Sequence, residues 1–181
     1  MNNNLLEKFF LEATQRFNFL ESEFEYKLIA KGVENIDDPQ DAYAFVQYLG
    51  SRVGIEIYWY FASAAIGIAL VEITKENEFP DRRRFWGKGK DEARAIKLHT
   101  LAKMLGKENS YVLKELGSTK LVHIKRREKV ISKNLGTVLE KLAQILRNIA
   151  QNILLGDTSI FPKVQKYQGE LLRKEYPALF K

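Results

Sequence analysis

The 181-residue chain contains no cysteine. That excludes disulfides, thiol nucleophiles and thiolate-ligated zinc or iron–sulfur sites. Histidine is nearly as scarce, with His99 and His123 alone, and neither has a companion at metal-ligand or triad spacing. Long apolar runs are missing too. The longest uncharged stretch, Ile57 to Val71, has 15 residues, short of the roughly 20 that a membrane-spanning helix needs. The amino terminus MNNNLLEKFFLEATQ has no basic segment leading into an apolar one, so no secretory leader is read there. A cytoplasmic protein without a membrane partner is the expectation.

Catalytic motifs are also wanting. G-x-S-x-G, H-E-x-x-H and G-x-G-x-x-G do not occur. Gly87-Lys88 is followed by Gly89, and Gly106-Lys107 by Glu108, so neither completes a phosphate loop. Glu25-Tyr26-Lys27 has the spelling of the acid-x-lysine pair of metal-dependent nucleases, but it falls at a helix end. Asp37, Asp38 and Asp41 read as turn or capping acids. No catalytic residue, metal or cofactor is assigned, and the chain reads as non-enzymatic.

What is present is charge, unevenly placed. Residues 1–60 carry 5 basic and 10 acidic side chains, net −5; residues 61–181 carry 24 and 13, net +11. Such a split suits either mutual attraction of the two parts or a basic face for an anionic partner.

Residues 4–24 show an apolar stripe at three- and four-residue spacing, from Leu6 through Phe9, Ala13, Phe17 and Phe24, and predict one amphipathic helix. KGVENIDDPQD reads as a polar turn region. RVGIEIYWYF then alternates with period two, Val53, Ile55, Ile57 and Trp59 on one side, Glu56, Tyr58 and Tyr60 on the other. Tyr43–Leu49 and Ala65–Ile73 flank it as strands across links too short for crossovers, which predicts an antiparallel meander. From Asp91 the chain is expected to be helical. Leu121–Ile124 reads either as a short fourth strand or as the lead-in to a long helix, about Glu128 to Leu155. In that helix Ile131, Leu135, Val138, Leu142, Ile145 and Ile149 form a heptad-like seam, suited to the sheet or to a homodimer. Pro162 suits the first turn of a last helix. The fold class is therefore α+β, a single domain of 181 residues. A three- to four-stranded antiparallel meander is packed by an N-terminal helix and several C-terminal ones; residues 1–75 hold helix and sheet, and 91–181 are mainly helical.

Two surfaces are candidates for a partner. FPDRRRFWGKGKDEAR brings Arg82, Arg83, Arg84, Lys88 and Lys90 together with Phe85 and Trp86, and Lys125-Arg126-Arg127 forms a second basic cluster. Arginine forks with aromatic neighbours suit phosphate and bases or an acidic protein surface, and a solvated connector has the same composition. Glu56, Tyr58 and Tyr60 would form an exposed sheet face if helices cover only the opposite side, and exposed tyrosine suits protein interfaces.

Three segments, RFNFLESEF, YLGSRVGIEIYWY and LLGDTSIFP, occur in an order that resembles small uncharacterised bacterial proteins, some similar to immunity proteins of polymorphic toxin systems. Such proteins commonly carry glycine or an aromatic after the EF pair, where this chain has Glu25. The resemblance implies a binding module that neutralises another protein. The alternative is a nucleic-acid-binding module using Arg82–Lys90 and Lys125–Arg127.

Overall fold

The computed structural model describes residues 3–35, 37, 42–75, 78–80, 94–107 and 121–175. Arg82, Arg83, Arg84, Phe85, Trp86, Lys88 and Lys90 lie outside them, as do residues 108–120 of the part expected to be helical.

The expected helix over 4–24 is two pieces, α1 (Asn3–Arg16) and α2 (Phe19–Phe24), separated by a turn at Phe17 and Asn18. The apolar stripe continues through the break: Phe9, Ala13, Phe17 and Leu20 are all fully buried. Five strands follow: β1 (Lys27–Glu34), β2 (Tyr43–Leu49), β3 (Val53–Tyr60), β4 (Ala65–Glu72) and β5 (Ala95–Lys97). They form one antiparallel sheet in sequential order. The meander is thus wider than the three or four strands expected. The second half of β1 lies where a polar turn is read; β1 is an edge strand exposed along most of its length, with a register shift at Leu28/Ala30, and has no buried alternation to betray it. β5 lies within a segment expected to be helical, and α3 (Leu98–Met104) begins directly after it.

Leu121–Ile124 is helical. It opens α4 (Leu121–Ile149), a 29-residue helix that departs from helical angles at Asn134. A short α5 (Gln151–Leu154) and α6 (Phe161–Glu175) complete the described chain, with Pro162 in the first turn of α6 as its fixed φ favours.

One sheet face carries Val46, Ile57 and Ile68 across β2, β3 and β4, then Tyr48, Ile55, Leu70 and Ile96 one step along. All are under 2% exposed and form one core with α1, α3, α4 and α6. The seam of α4 faces this core: Ile131, Leu135, Val138 and Leu142 are buried in the single chain. Gly136, costly inside a helix, sits where a β-carbon would meet the Glu12 carboxylate of α1.

The second face is not open. Glu56 is 0% exposed, Tyr58 6% and Tyr60 half-buried, so the exposed sheet face expected at these three residues is overturned. Tyr58 and Tyr60 form a second apolar cluster with Tyr43, Ala69, Val71, Ala95, Phe45 and Phe79. Glycine allows this layer to lie flat. The Tyr58 ring rests on Gly67 of the neighbouring strand, where a β-carbon would come within 2.5 Å of its oxygen, and Phe79 occupies the space over Gly54. Strand alternation distinguishes two faces; it does not tell a solvated tyrosine face from a stacked one. Gln47 Nε2 donates to Glu56 Oε2 at 2.9 Å, so the buried carboxylate is held by its cross-strand neighbour.

Candidate functional site

The described cleft lies at one end of the sheet and has a volume of about 300 Å³. Its first wall is the end of α2. Glu25 caps that helix in the left-handed region, φ 60°, with the Tyr26 N–H returning to the Leu20 carbonyl at 3.0 Å. Left-handed caps favour glycine because a β-carbon crowds the following carbonyl. Elsewhere the chain follows that rule: Gly106 (φ 67°) ends α3 and Gly156 (φ 95°) ends α5. Glu25 does not, so a charged side chain stands at the cleft where backbone geometry alone would select glycine.

The second wall is the β2–β3 turn. The Gly50 N–H donates to the Val53 carbonyl at 3.0 Å. The Tyr26 ring lies against Gly50, where a β-carbon would come within 2.8 Å. Tyr26 is buried, and burial pushes its hydroxyl above the ordinary tyrosine pKa. This packing fixes the turn that presents Ser51 and Arg52. The third wall is the α5 end, Leu154, Leu155 and Gly156. Leu155 is 70% exposed at the rim, the most exposed of the large apolar side chains described.

The electrostatics are unbalanced. Glu23 pairs with Arg147, whose guanidinium also lies 4.6 Å above the Phe19 ring. Glu72 accepts two bonds from Arg94, at 2.5 and 2.7 Å, and one from Thr158 at 3.2 Å. Asp157 accepts from the Ser159 hydroxyl and backbone N–H, which hold its carboxyl below the ordinary value, and the positive charge of Arg52 adds to this. Arg52 and Glu25 line the same cleft, yet neither makes an ion pair or side-chain hydrogen bond among the described residues. The cleft thus sets a guanidinium and a carboxylate, without an ion pair among the described residues, beside exposed apolar surface.

Of the basic residues singled out in sequence, Lys125 and Arg126 are exposed on α4. Arg127 is 5% exposed, and its Nε and Nη2 donate to the Ser63 carbonyl at 3.2 and 2.9 Å. It clamps the β3–β4 turn, where Ala64 takes a left-handed φ of 48°, and is not available as a partner contact. Glu25-Tyr26-Lys27 straddles the α2 end and the start of β1; no group of three or more acids or histidines suited to a metal occurs among the described residues.

The residues missed in sequence are Arg52, Leu155 and the role of Glu25. Arg52 and Leu155 lie within two of the three segments quoted above, YLGSRVGIEIYWY and LLGDTSIFP, while Glu25 and Tyr26 follow directly after the third, RFNFLESEF. No protein-family model matches the chain, and no curated protein or solved structure matches it. No described helix is long and apolar enough to cross a membrane.

Proposed function

We propose that this protein is a non-enzymatic binding module whose cleft receives a segment of another protein. Arg52 engages a carboxylate of that segment, Glu25 engages a basic group, and Leu155 with Phe24 supplies apolar contact. The observation that carries this reading is that Arg52 and Glu25, neither in an ion pair among the described residues, share one cleft. A guanidinium beside apolar surface has the composition of an interface hot spot. The strain at Glu25 belongs with it, since strained backbone concentrates at working sites. By analogy with the immunity proteins that the three segments resemble, binding would neutralise the partner, in a reducing cytoplasm to which a cysteine-free chain is suited.

The test is capture from the source cell with immobilised wild type, with Arg52→Glu/Leu155→Lys, and with Lys163→Glu/Lys166→Glu on the exposed side of α6. A single protein retained by wild type and by the α6 variant, and lost from the cleft variant at unchanged circular dichroism, supports the reading. Equal retention by the cleft variant sinks it.

A further inference from the structure

The exposed side of α4 from Lys125 to Lys133 is mostly cationic. Between Lys125 and Lys133 the exposed side chains are Lys125, Arg126, Glu128, Lys129, Ser132 and Lys133. Lys125, Lys129 and Lys133 recur every four residues and so lie along one stripe of the helix. None of the three makes an ion pair or side-chain hydrogen bond among the described residues, although Glu128 is within helical reach of Lys125. Like charges four apart destabilise a helix by about 0.2–0.5 kcal/mol per pair, and neither pair here is bridged by an ion pair among the described residues. Helix geometry after Lys133 is interrupted at Asn134, which closes the stripe.

From this stripe we infer a second binding surface, for the phosphate backbone of duplex DNA, formed by Lys125, Lys129 and Lys133. A rise of 1.5 Å per residue spreads the three ammonium-bearing positions over about 12 Å. With one phosphate per 3.4 Å along each strand, that length faces three to four phosphates of one strand. The occupant follows from what the face lacks. A protein interface is centred on buried aromatic or apolar anchors, a helix that lies in a membrane surface adds an apolar face to its charge, and single-stranded nucleic acid is held on aromatic stacking platforms. The exposed positions from 125 to 133 carry none of these. A phosphate backbone requires only cations at the right spacing, read without regard to sequence.

The experiment is fluorescence anisotropy of a labelled 20-base-pair duplex against the full-length protein from 50 to 200 mM salt. Neutralising three phosphates gives a log–log salt slope near −2.7 and about a fortyfold loss of affinity over that range. Lys125→Gln/Lys129→Gln/Lys133→Gln is expected to remove nearly all of that slope, while Lys31→Gln/Lys163→Gln/Lys166→Gln, with the same loss of charge, leaves most of it. The stripe variant relieves repulsion, so its thermal midpoint should not fall. No binding by wild type at 50 mM salt overturns the inference. So does equal weakening by the two variants, and so does polyglutamate or anionic vesicles bound in preference to DNA with the same lysine dependence.

Discussion

Replacing Glu25 by glycine separates what the backbone requires from what the cleft uses. Holding a residue with a β-carbon in the left-handed region costs roughly 1–2 kcal/mol. Glycine removes that cost but gives up roughly 0.5–1 kcal/mol through the freedom it gains in the unfolded chain. Glu25 makes no ion pair or side-chain hydrogen bond among the described residues whose loss would enter the difference. The net expectation for Glu25→Gly is a stabilisation of about 0.5–1 kcal/mol, which for a chain of this size is a rise of roughly 1–4 °C in thermal midpoint. Urea unfolding followed by circular dichroism reads the same quantity as a higher midpoint at unchanged slope. Gly156→Ala supplies the opposite sign. A β-carbon there would lie 3.4 Å from Arg52 Cδ, an ordinary contact, so its loss would report the φ of 95° alone. Were Glu25→Gly to lower stability while Gly156→Ala left it unchanged, the assignment of Glu25 as a strained cap kept for its side chain would be wrong.

Other outcomes follow from the same geometry. Gly67→Ala should cost about 1–3 kcal/mol in denaturant unfolding, because the overlying Tyr58 ring must move within a stacked layer. Arg127→Met should cost about 1.5–3 kcal/mol, since the Ser63 carbonyl loses a charged donor in a buried setting. His99, held down to about pKa 4 by burial and then by Lys97 and Lys103, binds its proton less readily folded than unfolded. Its contribution to stability is therefore intact above pH 6.5 and is lost as pH falls from 6.5 toward 4. Wild type should lose on the order of 2 kcal/mol more than His99→Gln across that window, less than the full shift implies because the ring is only partly covered.

The parts of the fold legible in sequence were those with one wet and one dry side. The stripe of α1 and the seam of α4 both announced their buried faces by spacing, and each packs against the other and the sheet. The β3 alternation named its strand correctly but not the fate of its second side. Whether Tyr58 meets water or Gly67 depends on a residue nine positions away, brought alongside by β-pairing. β1 was hidden for the converse reason: an exposed edge strand buries too little to leave a pattern. The cleft was harder still. Arg52 is ordinary in a turn and Leu155 ordinary after a helix; only the folded chain places them beside Glu25. Arg127 shows the limit of reading charge clusters, because one member of the Lys125–Arg127 run is consumed by the Ser63 carbonyl.

Hydrogen–deuterium exchange of the protein free and bound to the partner it captures tests the central claim most directly. The account predicts new amide protection confined to residues 23–26, 51–53 and 154–156, the three cleft walls. Protection absent from those three segments and concentrated elsewhere, along the exposed edge of β1 or on α6, would contradict it.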